Sequence, residues 1–183
     1  MTPKIIGLVG PIRAGKTTVS KYLCSKYSYR NASNSELLAE ILSHLGQSPT
    51  RENLGNLGNA IFKTLGNDAF ARYRLSKLSE GCIVIDGIRY ADELARYRTE
   101  RSFRLLGIDL SSDERYRRAL NESDNIKDQD LSREKFLNYS KARSELDVPS
   151  LLLKADKVIY NGGTLQDLYG QIDKILGEWG SST

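Results

Sequence analysis

Apolar and polar positions along this chain alternate between two kinds of period. Lys4–Val9 is a short run of β-branched and apolar residues that reads as a buried strand. A glycine turn follows, and Lys16–Tyr27 has helical character. Ser33 with Glu36 three residues later forms a capping box before Leu37, Leu38, Ile41, Leu42 and Leu45, a helical stripe closed by Gly46. Thr50 and Asn67 read as N-caps of two further helices. Cys82–Ile85 predicts a buried strand ending at Asp86 and Gly87, and Phe103–Leu110 predicts another. Ser111-x-x-Glu114 starts a helix by the same capping logic, and Lys157–Tyr160, Gly162–Gly163 and Thr164 give a last strand, turn and helix. Strands alternating with helices predict an α/β fold with a mostly parallel sheet covered on both faces. Ligands then gather at the carboxyl ends of the strands. Leu54, Leu57, Ile61 and Leu65 form an apolar stripe, read as core, with a dimer face as the alternative.

Composition narrows the class. The 183 residues suit a single domain, residues 1–183, and 39% hydrophobic with 27% charged residues is the mixture of a folding chain. The longest stretches without a formal charge are ten residues, against the roughly 20 that a membrane helix needs. The apolar run Ile5–Ile12 is broken by Gly7, Gly10 and Pro11 and stopped by Arg13, unlike a secretory segment, so a cytoplasmic location is expected. Cys24 and Cys82 are too few for a disulfide framework and are read as buried thiols. His44, the one histidine, is read as structural, which excludes a His-rich metal centre. The net charge of +4 is scattered over 27 bases and 23 acids rather than gathered into a nucleic-acid-binding stripe. A phosphate-bearing small molecule suffices as partner.

The stretch from Gly10 to Thr18, Gly-Pro-Ile-Arg-Ala-Gly-Lys-Thr-Thr, matches G-x-x-x-x-G-K-[ST] between a strand and a helix. Gly10 and Gly15 let the backbone turn so that successive N–H groups face inward, and the helix start adds its positive end. Gly10, Arg13, Ala14, Gly15, Lys16, Thr17 and Thr18 are therefore expected around a nucleotide's phosphates. Lys16 would reach the β- and γ-phosphates and the Thr17 hydroxyl a Mg²⁺ ion. Asp86, at the end of an apolar strand, is the expected second metal residue. Gly87 lets the chain turn away, and Arg89 is placed to take a phosphate with its planar guanidinium.

These segments resemble the P-loop nucleoside monophosphate kinases and their relatives, among them dephospho-coenzyme A kinases, archaeal kinase-like proteins and phage deoxynucleotide kinases. The similarity runs over most of the chain: the opening strand, loop and helix; VIDGIRYADEL (Val84–Leu94), with its D-G-x-R and downstream Glu93; and ADKVIYNGGTLQDL (Ala155–Leu168). It implies a three-layer P-loop NTPase fold with a five-stranded, mostly parallel sheet, acceptor-binding helices over about 33–80 and a helical lid over about 113–147. It places Asn161, Gly162, Gly163 and Thr164 beside the adenine, with a plain strand-to-helix turn as the alternative. It makes Arg51, in PTRENLGNLG, a substrate-side residue together with Arg89 and Glu93, an exposed helix-start arginine being the rival reading of Arg51.

From Asp113 to Asp147, 17 of 35 residues are charged. Composition alone fits a solvated helical pair, whereas the resemblance makes the segment a lid, with Arg115 and Arg118 joining Lys16 and Asp86 as catalytic residues. The match fades at Glu122, Tyr139 and Ser140, where relatives carry an arginine or an Arg-Asp pair. Asn125–Asp128 has the wrong order for a guanine-reading N-K-x-D. The loop Asn31–Asn34 lacks the acids that dephospho-coenzyme A kinases carry there, which favours an acceptor that is already anionic. The expected activity is a phosphotransferase using ATP and Mg²⁺ to phosphorylate a nucleoside or deoxynucleoside monophosphate, as a monomer or homodimer. Phosphorylation of a hydroxyl in dephospho-coenzyme A or another small compound, and a nucleotide switch without transfer, are the alternatives.

Overall fold

A computed structural model describes residues 2–77, 81–121, 132–139 and 145–181, with the side chains of Arg51 and Tyr139 outside the described set. The expected strand–helix alternation folds as five strands, β1 (Ile5–Val9), β2 (Arg30–Asn31), β3 (Ile83–Asp86), β4 (Phe103–Asp109) and β5 (Lys157–Tyr160). Their spatial order is β2-β3-β1-β4-β5 and every pairing is parallel. All five residues of β1 are buried, as a strand covered on both faces requires.

The period of two along β1 divides the core. Ile6 and Leu8 face α1 (Lys16–Tyr27) and α9 (Leu165–Ser181), meeting Val19, Leu23, Leu168, Ile172 and Leu176. Ile5 and Val9 face the other layer, which includes Leu94 and Tyr97 of α5 (Ala91–Tyr97) and Val148 and Leu151 of α8 (Val148–Leu152). Gly7 lies between them because a Cβ there would stand 2.3 Å from Ile88 Cδ1. Helix, sheet and helix make the three layers. Because β1 has β3 on one side and β4 on the other, the chain changes direction at its carboxyl end, where the crevice of such a sheet opens.

The remaining helices are α2 (Asn34–His44), α3 (Arg51–Leu65), α4 (Ala69–Leu75), α6 (Ser112–Asn121) and α7 (Arg133–Tyr139). Ser33, Thr50 and Ser111 cap as expected, their hydroxyls accepting from Glu36, Asn53 and Glu114 N–H. Asn67 does not cap α4: that helix begins after Asp68, and the Asn67 amide instead donates to Asp92 at 3.3 Å. Cys24 and Cys82 are half-buried at the margin of the core rather than inside it. The α3 stripe is likewise marginal, Leu54, Leu57 and Ile61 being half-buried and Leu65 57% exposed, because α3 packs mainly on α2 and not on the sheet. His44 closes α2 at the surface, with Nδ1 2.9 Å from the Glu40 carbonyl. Among the described residues, no helix is long and apolar enough to cross a membrane.

Candidate phosphate-binding site

β1 delivers the chain to Gly10, where a Cβ would meet the Ile108 carbonyl oxygen at 2.1 Å, so β4 itself dictates a glycine. Arg13 (φ 65°) and Gly15 (φ 105°) then take left-handed conformations that curl the loop into a concave nest of amides. Gly15 precedes α1 with no side-chain cap, and the first turn carries no acid. The helix therefore presents its free N–H groups and positive end to the nest, where an anion satisfies both.

Lys16 lies under this loop, 8% exposed, and its ammonium donates to the carbonyls of Gly10 (2.7 Å) and Pro11 (3.0 Å). Burial, followed by repulsion from Arg89, pulls its pKa from 10.5 down to about 8. A polyanion raises that value again. Calorimetry in buffers of different ionisation enthalpy is therefore expected to show proton uptake when tripolyphosphate binds at pH 8–9, absent in Lys16→Met. Equal heats in all buffers contradict it.

On the rim, the Thr17 hydroxyl donates to Asp86 Oδ2 at 3.0 Å, so the first turn of α1 and the end of β3 bring two hard oxygen donors together. Gly87 (φ 94°) turns the chain, Ile88 N–H returns to the Leu8 carbonyl, and Arg89 is left beside the loop. A cleft of about 450 Å³ joins Arg13, Lys16, Thr17, Asp86, Arg89 and Arg118, with Thr18, Ser33 and Ser35 also in its wall. A second hollow of about 790 Å³ opens from Thr17 and Asp86 toward Ser20, Asn31 and Glu36.

Other expected site residues lie elsewhere. Arg115, only 9% exposed, spends its guanidinium on the carbonyls of Leu110 and Ile12, both at 3.2 Å, and packs over Phe136. It braces the loop from behind and does not line the cleft, because two inward-facing carbonyls hold it there. Asn161, 5% exposed, donates its amide to the Ala14 carbonyl at 2.8 Å and accepts from Arg118 at its own carbonyl. A Cβ on Gly15 would come within 2.3 Å of that amide, so Asn161 fixes the loop's shape; Gly162 beside it is exposed. Glu93, 1% exposed, takes the Arg89 N–H at 3.1 Å and the Asn34 amide at 3.5 Å, and burial raises its pKa from 4.5 to about 7. It supports Arg89 from beneath and does not open to the cleft. The Arg51 side chain, Glu122, Asn125–Asp128 and Ser140 lie outside the described residues.

Glu145 is the residue that sequence reasoning passed over. It is 8% exposed, accepts the Ile12 N–H at 3.1 Å and pairs with the Arg89 guanidinium. Nothing in its local sequence distinguishes it from the other acids of that stretch.

No family model matches the chain. It is 28% identical over 177 residues to a UPF0200 protein of Methanoculleus marisnigri, covering 94% of this chain and 95% of that one. In structure it is similar to shikimate kinase from Bacteroides thetaiotaomicron, with a TM-score of 0.64 and 16% identity over 94% of this chain and 98% of that one. Dephospho-CoA kinase from Campylobacter jejuni gives a TM-score of 0.58 and 14% identity over 96% of each chain. The fold is thus the five-stranded parallel α/β fold of P-loop kinases.

Proposed function

We propose that the protein is a small-molecule phosphotransferase that moves the γ-phosphoryl group of ATP to a nucleoside or deoxynucleoside monophosphate. The reading is carried by one arrangement, the amide nest closed by buried Lys16 with Thr17 and Asp86 3.0 Å apart on its rim. The Thr17 hydroxyl and Asp86 carboxylate are hard oxygen donors of the kind Mg²⁺ prefers, and would hold that ion. When bound, it neutralises charge on the phosphates. In the transfer the bond from the γ-phosphorus to its bridging oxygen breaks, an acceptor oxygen takes that phosphorus, and ADP leaves. The chain's part is to align the in-line oxygens and stabilise charge on the moving group, for which Lys16 and Arg118 line the cleft. Arg89, in the same cleft, is the candidate partner of the acceptor's phosphate, held in place through Glu93. A cytoplasmic setting belongs to the same proposal.

A hydroxyl acceptor is the second reading, supported by the hollow beyond Thr17 and Asp86, whose wall of Ser20, Asn31 and Glu36 suits hydroxyl recognition. Asp86 would then also serve as base. Incubation with γ-labelled ATP and Mg²⁺ over a panel of monophosphates, shikimate and dephospho-coenzyme A separates the readings. Label on a monophosphate is the expected result. Label on a hydroxyl compound selects the second reading, and label released only as free phosphate removes both.

A further inference from the structure

Arg89 and the phosphate loop already hold an anion, and it comes from the chain itself. The two carboxylate oxygens of Glu145 take two different donors, the Ile12 N–H of the loop and the Arg89 guanidinium of the segment after β3. A backbone amide in a nest and an arginine fork are the donors that recognise a phosphate group, and a carboxylate offers them the same charge sign and similar oxygen geometry. Only the fold brings Glu145 to the loop: its contact with Ile12 spans 133 positions.

The charges explain why a carboxylate is needed there. Arg89 and Arg115 each stand close enough to Lys16 to repel it, and Glu145 is the anion that acts on both Lys16 and Arg115. Cations crowded at low exposure are unfavourable unless an opposite charge is present. A phosphate dianion supplies that charge in Glu145's place, and the two anions repel when both are present. Among the described hydrogen bonds, the Arg89 guanidinium has no partner but Glu145, so the arginine is engaged by a group that a phosphate can replace.

We infer that Glu145 is an internal stand-in for phosphate: its carboxylate occupies a phosphate seat formed by the Ile12 amide and Arg89, offsets the charge of the surrounding cations, and must be displaced before that seat takes a phosphoryl group. The inference rests on the phosphate-loop reading above and adds a regulated subsite to it. Displacement lowers the apparent affinity for phosphate in proportion to the fraction of free protein in which the seat is vacant.

The test compares inorganic tripolyphosphate binding to the wild-type chain and to Glu145→Gln by calorimetry. With the seat vacant in about a tenth of free molecules, the variant is expected to bind about tenfold tighter. Glu145→Asp, which keeps the charge but withdraws its reach, is expected to fall between the two. Thermal unfolding supplies a second readout: Glu145→Gln melts below wild type when free, and the difference disappears or reverses at saturating tripolyphosphate. A permanent brace would lower melting equally in both states and weaken binding. If wild type binds tripolyphosphate and the variants bind it equally or less well, this inference fails alone. If none of the three chains binds it, the phosphate-loop reading fails as well.

Discussion

Lys16→Met is expected to lower phosphoryl transfer about a thousandfold, the loss that follows removal of a preorganised positive group at developing charge. The fold should survive, and the site shows why. Lys16 is buried and its pKa lies near 8 instead of 10.5, so the folded chain holds the charged ammonium less well than the unfolded chain does. Between about pH 8 and 10.5 the unfolded state binds more protons, and stability rises with pH across that window. Methionine keeps most of the aliphatic stem and removes the charge. The melting temperature of Lys16→Met should therefore be no lower than that of wild type at pH 7, and its rise between pH 8 and 10.5 should vanish. Single-turnover kinetics with labelled ATP, read beside melting curves over that range, check both halves. Transfer at the wild-type rate removes Lys16 from the mechanism, and a large fall in melting temperature makes it a structural residue instead.

What the sequence disclosed well is what local backbone chemistry determines. Gly15 was legible because a tight anion nest needs its left-handed turn, and the Ser33, Thr50 and Ser111 caps because a hydroxyl three residues before its N–H partner is a local device, whereas Gly10 is required by the Ile108 carbonyl of β4. Thr17 and Asp86 were legible because one lies in the first turn of a helix and the other ends a strand. Arg115, Asn161, Glu93 and Glu145 read less well, for two physical reasons. The partners of three of them lie far along the chain, Arg115 bonding Ile12 across 103 positions, Asn161 bonding Ala14 across 147 and Glu145 bonding Ile12 across 133. Charge and spacing say that an arginine is near a phosphate loop; they do not say which side of it. Arg118 and Arg115 are three residues apart on α6, yet one lines the cleft and the other braces the loop from behind. Glu93 failed differently: its sequence neighbourhood was right, but only its burial shows that it supports Arg89 instead of meeting a ligand.

The second large effect is expected at Asp86. Asp86→Asn keeps the size and hydrogen-bonding reach of the side chain, and its amide oxygen can still accept from the Thr17 hydroxyl that lies 3.0 Å away. Asp86 is only half-buried at the end of β3, and buried Lys16, on which its charge acts, keeps Glu145 as a second counter-charge. Stability should change little. What disappears is the negative charge facing Thr17, and a hard dication binds an anionic carboxylate oxygen better than a neutral amide oxygen. Transfer is expected to fall by about a thousandfold at low Mg²⁺, the order attached to loss of a charge-clamping group. The concentration of Mg²⁺ needed for half-maximal rate should rise about tenfold or more, since a tenfold change corresponds to about 1.4 kcal/mol of lost binding. Titrating the rate against Mg²⁺ at fixed ATP separates the possible roles of this carboxylate. A higher Mg²⁺ requirement with partial recovery at saturation marks Asp86 as a metal-holding residue. An unchanged requirement with a uniformly low rate assigns it to proton transfer from a hydroxyl acceptor, and would move the favoured reading from a monophosphate to a hydroxyl compound.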